Sequence, residues 1–236
     1  ELSAYNDLAA RDAVDGVIIH TPKEDDKRLK RLNELNLPFV VHGRSTKSNE
    51  VYNWVDVNNE SAFFRATEFL IDLGHRSIAL LNGMADLDFA IRRTKGYERA
   101  LSKHQIDLVS DYILYGEMTE PYGYRSTIAL LDRPSPPTAI IASSILVANG
   151  VRRGVEELGL KMGRDISILS HDDDLSYFRD ESDVPVYSVT RSSVREAGYK
   201  SADLLIKTIE DPTRQCEGIL IEADLMVGTS TKPAKS

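Results

Sequence analysis

The stretch Phe69–Gly83 reads FLIDLGHRSIALLNG and changes character at one glycine. A helix ends at Leu73, with Gly74 suited to the left-handed position that closes helices, and Ser77 opens a strand. The strand that follows is continuously apolar rather than alternating, as expected of a parallel strand covered on both faces. EELGLKMGRDISIL repeats the pattern around Gly159, and DRPSPPTAII puts a proline-rich turn, which no helix can continue through, before another strand.

Outward from that unit, strands are expected at Val14–His20, Leu37–Gly43, Ser77–Gly83, Tyr112–Gly116, Thr138–Ser144, Ile166–Asp172 and Val186–Thr190. Helices are expected at about Glu24–Asn36, Glu60–Leu73, Ala90–His104, Pro121–Leu131, Leu146–Leu158 and Ser193–Ile209. Recurring β-α-β units imply parallel sheet with right-handed crossovers, an α/β doubly wound fold. Seven strands exceed what one small half needs, so two lobes are expected.

The 236 residues can bury a substantial core, and 42% hydrophobic with 28% charged residues is an ordinary globular composition. No run approaches the roughly 20 apolar residues of a membrane span, so no membrane association is expected. Thirty-seven acids against 29 bases, without a dense basic block, exclude a nucleic-acid surface on this segment itself. The single Cys216 excludes an internal disulfide and fits a reducing, cytoplasmic compartment. The chain opens without methionine, inside an amphipathic helix carrying Leu2, Tyr5, Leu8 and Ala9 on one side, and is expected to be part of a longer protein. Catalysis finds no support: there is no Gly-rich phosphate loop, no G-x-S-x-G elbow, no C-x-x-C and no H-E-x-x-H. No cofactor is expected.

Three segments then line up in order. VDVNNESAFFRATEFLIDLGHRSIALLNG (55–83), IRRTKGYERAL (91–101) and DISILSHDDDLSYFRDESDVPVYSVTRSSVREAG (165–198) resemble three signature blocks of the lac repressor (LacI/GalR) family of bacterial transcription regulators. These are its helix–GHR–strand block, its R-x-x-G-Y-x-x-A-L helix, and its D-V-S-V-V-G-F-D-D strand with the following crossover. The resemblance implies a two-lobed effector-binding domain like the periplasmic sugar-binding proteins (type I), with a sugar-like effector in a cleft between lobes. It also implies a cytoplasmic homodimer whose separate N-terminal helix-turn-helix meets operator DNA. The expected lobes are 1–83 with 191–217, and 84–190 with 218–236. A periplasmic sugar-binding protein of a transporter is the alternative.

Ligands of open α/β sheets bind outside the carboxyl ends of the strands. That rule selects His20 and Thr21, His42 to Arg44, Gly83 to Phe89, Glu117 and Met118, Ser143 and Ser144, and His171 and Asp172. The resemblance makes Asp172 an acceptor for ligand hydroxyls and Arg93 a fork of donors; capping and a surface ion pair are the plainer alternatives. Asp88 and Phe89 are expected on the loop entering the Arg93 helix, Phe89 either stacking on a sugar face or packing. Ser143-Ser144 replaces the family's frequent Asn-Asp, and His171 replaces its aromatic residue; exposed, His171 would titrate near neutrality. His75 and Arg76 suit a helix C-terminus. Trp54 reads equally as stacking platform or interface, and Leu29, Leu32 and Leu35 as core or interface. Consecutive Asp172, Asp173 and Asp174 diverge along a strand, so no metal is expected there; Asp173 is expected to cap the next turn and Asp174 to face water.

Overall fold

A computed structural model of the chain describes residues 2–11, 13–172, 174 and 184–235. Two compact units result: Glu1–Val57 with Asp86–Phe89 and Val194–Ile221, and Asn58–Ala85 with Ala90–Ser193 and Glu222–Ser236.

The first unit is a four-stranded parallel sheet ordered β1-β2-β3-β9, built from β1 (Val17–His20), β2 (Phe39–His42), β3 (Asn53–Val57) and β9 (Gly218–Ile221). Its helices are α1 (Leu2–Ala10), α2 (Lys27–Glu34) and α7 (Val194–Glu210). Alternate residues of β2 feed two cores. Phe39 and Val41 join Leu29 and Leu32 of α2, whereas Val40 joins Val55 and Ala197 and Leu204 of α7. Helix on both faces of a parallel sheet is what doubly wound means, and it assigns Leu29 and Leu32 to the core.

The second unit is a six-stranded sheet ordered β10-β8-β7-β6-β4-β5. Its strands are β4 (Ile78–Asn82), β5 (Ile113–Tyr115), β6 (Ala139–Ala142), β7 (Ser167–Asp172), β8 (Ser188–Arg191) and β10 (Asp224–Met226). All neighbours are parallel except β10 against β8. Its helices are α3 (Asn59–Asp72), α4 (Asp88–Lys103, whose first two residues count with the first unit), α5 (Glu120–Leu131) and α6 (Ile145–Glu157). Every residue of β6 is fully buried, and an isoleucine buried from water gains about 1.5–3 kcal/mol. Ala79, Leu81, Ile140 and Ile168 pack with Val147, Val151 and Val155 of α6; the alternate Leu80, Ile141 and Leu169 are as deeply buried.

Helix starts are capped by side chains: Asn58 accepts from Ser61 N at 3.2 Å, and Ser144 from Val147 N at 3.3 Å. The expected glycine terminators hold, with φ of +90° at Gly74 and +71° at Gly159. No helix among the described residues is long and apolar enough to cross a membrane.

Three strands escape the apolar-run criterion: β3, β9 and β10. In β3 the pattern NWVDV is broken by buried Asn53 and Asp56, each with an internal partner: Asn53 donates to Thr208 Oγ1 at 3.0 Å, and Asp56 accepts from Arg44 Nε at 2.8 Å. The unit boundaries also move. β4 hydrogen-bonds to β5 and β6, so Asn58–Ala85 belongs to the second unit, not to a lobe running to residue 83. β9 pairs with β3, which puts residues 218–221 in the first unit. Asp88 and Phe89 open α4 rather than lying on a loop before it.

Candidate functional site

The carboxyl ends of the second unit's strands gather four of the expected residues. Ser143 follows β6, His171 and Asp172 end β7, and Arg93 comes from α4. Arg93 is 6% exposed; its Nε donates to Asn59 Oδ1 at 2.7 Å and Nη1 to the Ser143 carbonyl at 2.9 Å. Its guanidinium lies over the Phe63 ring, 4.7 Å from the centroid. A planar cation clamped at Nε and stacked on one face is held in a fixed orientation. Ser143 is 1% exposed, and its Oγ has no hydrogen-bond partner among the described residues. A buried hydroxyl left unpaired costs free energy, and such groups are rare unless a ligand or water completes them.

Asp172 is 7% exposed and already engaged: Oδ2 accepts from Arg191 Nε at 2.7 Å, and Oδ1 from Asp174 N at 2.9 Å. The second contact is the turn expected of an aspartate at a strand end. An ionised carboxylate has about four acceptor positions, so capacity for a ligand hydroxyl remains. Asp173 lies outside the described residues.

His171 does not meet the condition for titration near neutrality. It is 2% exposed, with Nδ1 bonded to Thr190 Oγ1 at 3.0 Å and Nε2 at 3.4 Å from Ser192 Oγ. Burial pushes its pKa well below the ordinary value, and the positive charge of Arg93 adds to the effect. The imidazole is therefore a neutral, internally bonded group packed near Phe63, with ring centroids 6.1 Å apart. Met118 is half-buried against the α6-side core.

Other expected residues sit in the first unit. His20 ends β1, and its Nδ1 lies 3.1 Å from Nδ1 of His42, the last residue of β2. Burial lowers the His42 pKa, repulsion from His20 lowers it further, and Asp56 opposes both. Asp88 is fully buried, and its Oδ2 accepts from Thr46 N at 2.9 Å and Thr46 Oγ1 at 2.6 Å. It ties the loop after β2 to the start of α4. Phe89 is half-buried in the first turn of α4. Trp54 lies across Gly218 of the neighbouring strand, under the Arg44 guanidinium at 4.8 Å. His75 is tied to Thr138 and Ser167, and Arg76 donates to the Ile71 carbonyl at the end of α3, a structural role for both.

Asn59, Phe63 and Arg191 complete the Arg93–Asp172 cluster and were not singled out by sequence. Arg191 had a signal: it ends β8, so the strand-end rule selects it as it selects Asp172. Phe63 and Asn59 had none, being ordinary positions in the first turns of a helix. Among the described residues, no group of three or more His, Cys, Asp or Glu is placed to hold a metal ion.

Residues 67–231 match the family model described as a periplasmic binding protein-like domain. The chain is 42% identical over 99% of its length to the HTH-type transcriptional regulator AglR of Rhizobium meliloti. It spans 66% of that protein, just under two thirds. A LacI-type transcriptional regulator structure from Bacillus cereus superposes with a TM-score of 0.92 at 26% identity, covering 99% of this chain and 82% of the other. A complex of the transcriptional regulator CelR with cellobiose gives 0.84 at 28% identity, covering 95% and 69%.

Proposed function

Since the chain belongs to the periplasmic binding protein-like family, in its LacI-type regulator branch, we propose that it senses a small sugar-like effector for a bacterial transcription regulator. The relatives it matches are regulators, a non-enzymatic family. The observation that carries the reading is the buried Ser143 hydroxyl, unpaired among the described residues, on a residue whose carbonyl accepts from the clamped guanidinium of Arg93, together with the carboxylate of Asp172. A donor fork from α4, with a hydroxyl and a carboxylate at the adjoining ends of β6 and β7, suits vicinal sugar hydroxyls, which both donate and accept. The CelR–cellobiose complex supports a sugar as the ligand class. Met118, half-buried in the same unit, is proposed as a further contributor, and His171 as a neutral support beneath the site.

The coupling is linkage. An effector shifts operator binding only by the difference in its affinity for the DNA-competent and DNA-incompetent states. The operator is met by a headpiece outside these 236 residues, in a cytoplasmic homodimer. A calorimetric screen of sugars, polyols and sugar acids against this chain tests the ligand class. One compound binding the wild type at one site, and binding Arg93→Ala weaker by about 1–3 kcal/mol, is expected. Equal affinity of both proteins would overturn the site. A ligand with no effect on operator binding by the full-length protein would overturn the regulatory reading.

A further inference from the structure

At the carboxyl edge of the first unit, β1 and β2 end in register on His20 and His42. The Nδ1 atoms face each other at 3.1 Å, with the rings edge-to-face and 5.2 Å between centroids. His20 is exposed and His42 half-buried, so solvent reaches the pair. Both strands then turn sharply: Thr21 takes φ +47° and Gly43 φ +115°. A Cβ on Gly43 would meet Pro22 Cδ at 2.7 Å, so the two turns lock together. The Arg28 Nη2 donates to the His20 carbonyl at 3.1 Å and to the Thr21 carbonyl at 3.3 Å, holding the first turn. A non-glycine residue at positive φ persists only where its surroundings enforce it, and such residues cluster at ligand sites.

We propose that His20 and His42 form a two-imidazole site for a first-row divalent transition-metal ion such as Zn²⁺, coordinated through both Nδ1 atoms. Imidazole nitrogens bind Zn²⁺ at about 2.0–2.1 Å, so two of them on one ion, at octahedral to tetrahedral angles, lie roughly 2.9–3.4 Å apart. The pair already has that spacing, and turning the two rings about their side-chain torsions aims both nitrogens at an ion beside the line that joins them. In the ion-free pair one imidazole donates its Nδ1–H to the other. On coordination that proton moves to Nε2 of the same ring, so both rings stay neutral and both Nδ1 lone pairs face the ion. Water, or a hydroxyl or carboxylate of a bound ligand, fills the remaining positions. Two protein ligands make an open site, in contrast to closed four-ligand structural zinc sites. The proposal is independent of the sugar-sensing reading, because its probe is the metal ion alone.

The test uses the whole chain carrying Cys216→Ser, which removes the exposed thiol as a competing ligand. Zn²⁺ is titrated by calorimetry at pH 7.5, and the imidazole nitrogens are followed by long-range ¹H–¹⁵N NMR. One Zn²⁺ per chain is expected, with the Nδ1 resonances of His20 and His42 displaced. Loss of a mere supporting group costs metal affinity roughly 10–100-fold, so His42→Asn, which deletes a ligand, is expected to weaken binding at least as much. His104→Gln, at the exposed histidine paired with Glu68, keeps it. Binding that survives in His20→Asn with His42→Asn, or displaced resonances confined to other histidines, overturns the site. Absence of any one-to-one binding to the Cys216→Ser chain overturns it as well, leaving the pair as a hydrogen bond only.

Discussion

At the scale of single residues, the cluster in the second unit separates groups that hold the protein from groups held for something else. Ser143 belongs to the latter. Its backbone is fully used, with N donating to the Leu81 carbonyl and O accepting from Arg93, but its hydroxyl has no partner among the described residues. Ser143→Ala should leave ligand-free stability unchanged or raise it by up to about 1 kcal/mol, while effector affinity falls by about 1 kcal/mol. Urea melts and calorimetry on the same preparation measure both, and a destabilised ligand-free variant would sink this account. His171 makes a different prediction. With His42 and His75 it is held below the ordinary imidazole value, chiefly by burial. The unfolded chain takes up protons near pH 6.5 that these folded imidazoles refuse, so stability falls as pH drops below about 6.5. Each histidine contributes a slope of at most about 1.4 kcal/mol per pH unit. Urea midpoints at pH 7.5 and 5.5 should show the loss, and His171→Phe should shrink the difference even if it lowers both values. Sequence placed His171 and Asp172 at the strand mouth but could not tell that the imidazole is buried. That depends on Thr190 and Ser192, whose approach is set by the pairing of β7 with β8.

At the scale of elements, the helices and the apolar strands were legible because each residue type agrees with its place. β6 is AIIA between a proline turn and a serine cap, and no other element competes for that pattern. β3 was illegible because its buried Asn53 finds its partners, Thr208 and Glu217, far along the chain. Close helix contact is a further feature that periodicity does not reveal. α5 and α6 approach backbone to backbone, since a Cβ on Gly150 would lie 2.0 Å from the Glu120 carbonyl oxygen and one on Gly123 2.2 Å from that of Val147. By helix propensity alone, Gly150→Ala should gain about 1 kcal/mol. The steric term opposes it and wins, because the neighbouring atoms are backbone that cannot rotate away. We expect Gly150→Ala to destabilise the protein by about 1–3 kcal/mol in denaturant melts. Gly159→Ala tests a separate effect, since nothing lies within 4 Å of its Cβ and only its φ of +71° resists the substitution.

At the scale of the whole molecule, an effector that binds the folded chain alone stabilises it by mass action. At a hundredfold excess over its dissociation constant the gain is about 2.7 kcal/mol, so the melting midpoint should climb with the logarithm of ligand concentration. A midpoint indifferent to a compound that calorimetry reports as bound would mean that the unfolded chain binds it equally. The doubly wound architecture was readable from the order of apolar runs, whereas the boundaries between units were not. They depend on which strands pair, and β9 pairs with β3 from 164 residues away. That pairing has a consequence for how the chain is made. When Val57 leaves the ribosome, its neighbour Ile221 has not yet been synthesised. At roughly 5–20 residues per second, β3 waits on the order of 8–30 s for its partner. During that interval the second unit completes β4 to β8, while the first presents an open strand edge to its surroundings. The vulnerable moment in this protein's life is therefore set by translation speed, and slowing synthesis between residues 58 and 217 should raise the demand for chaperones.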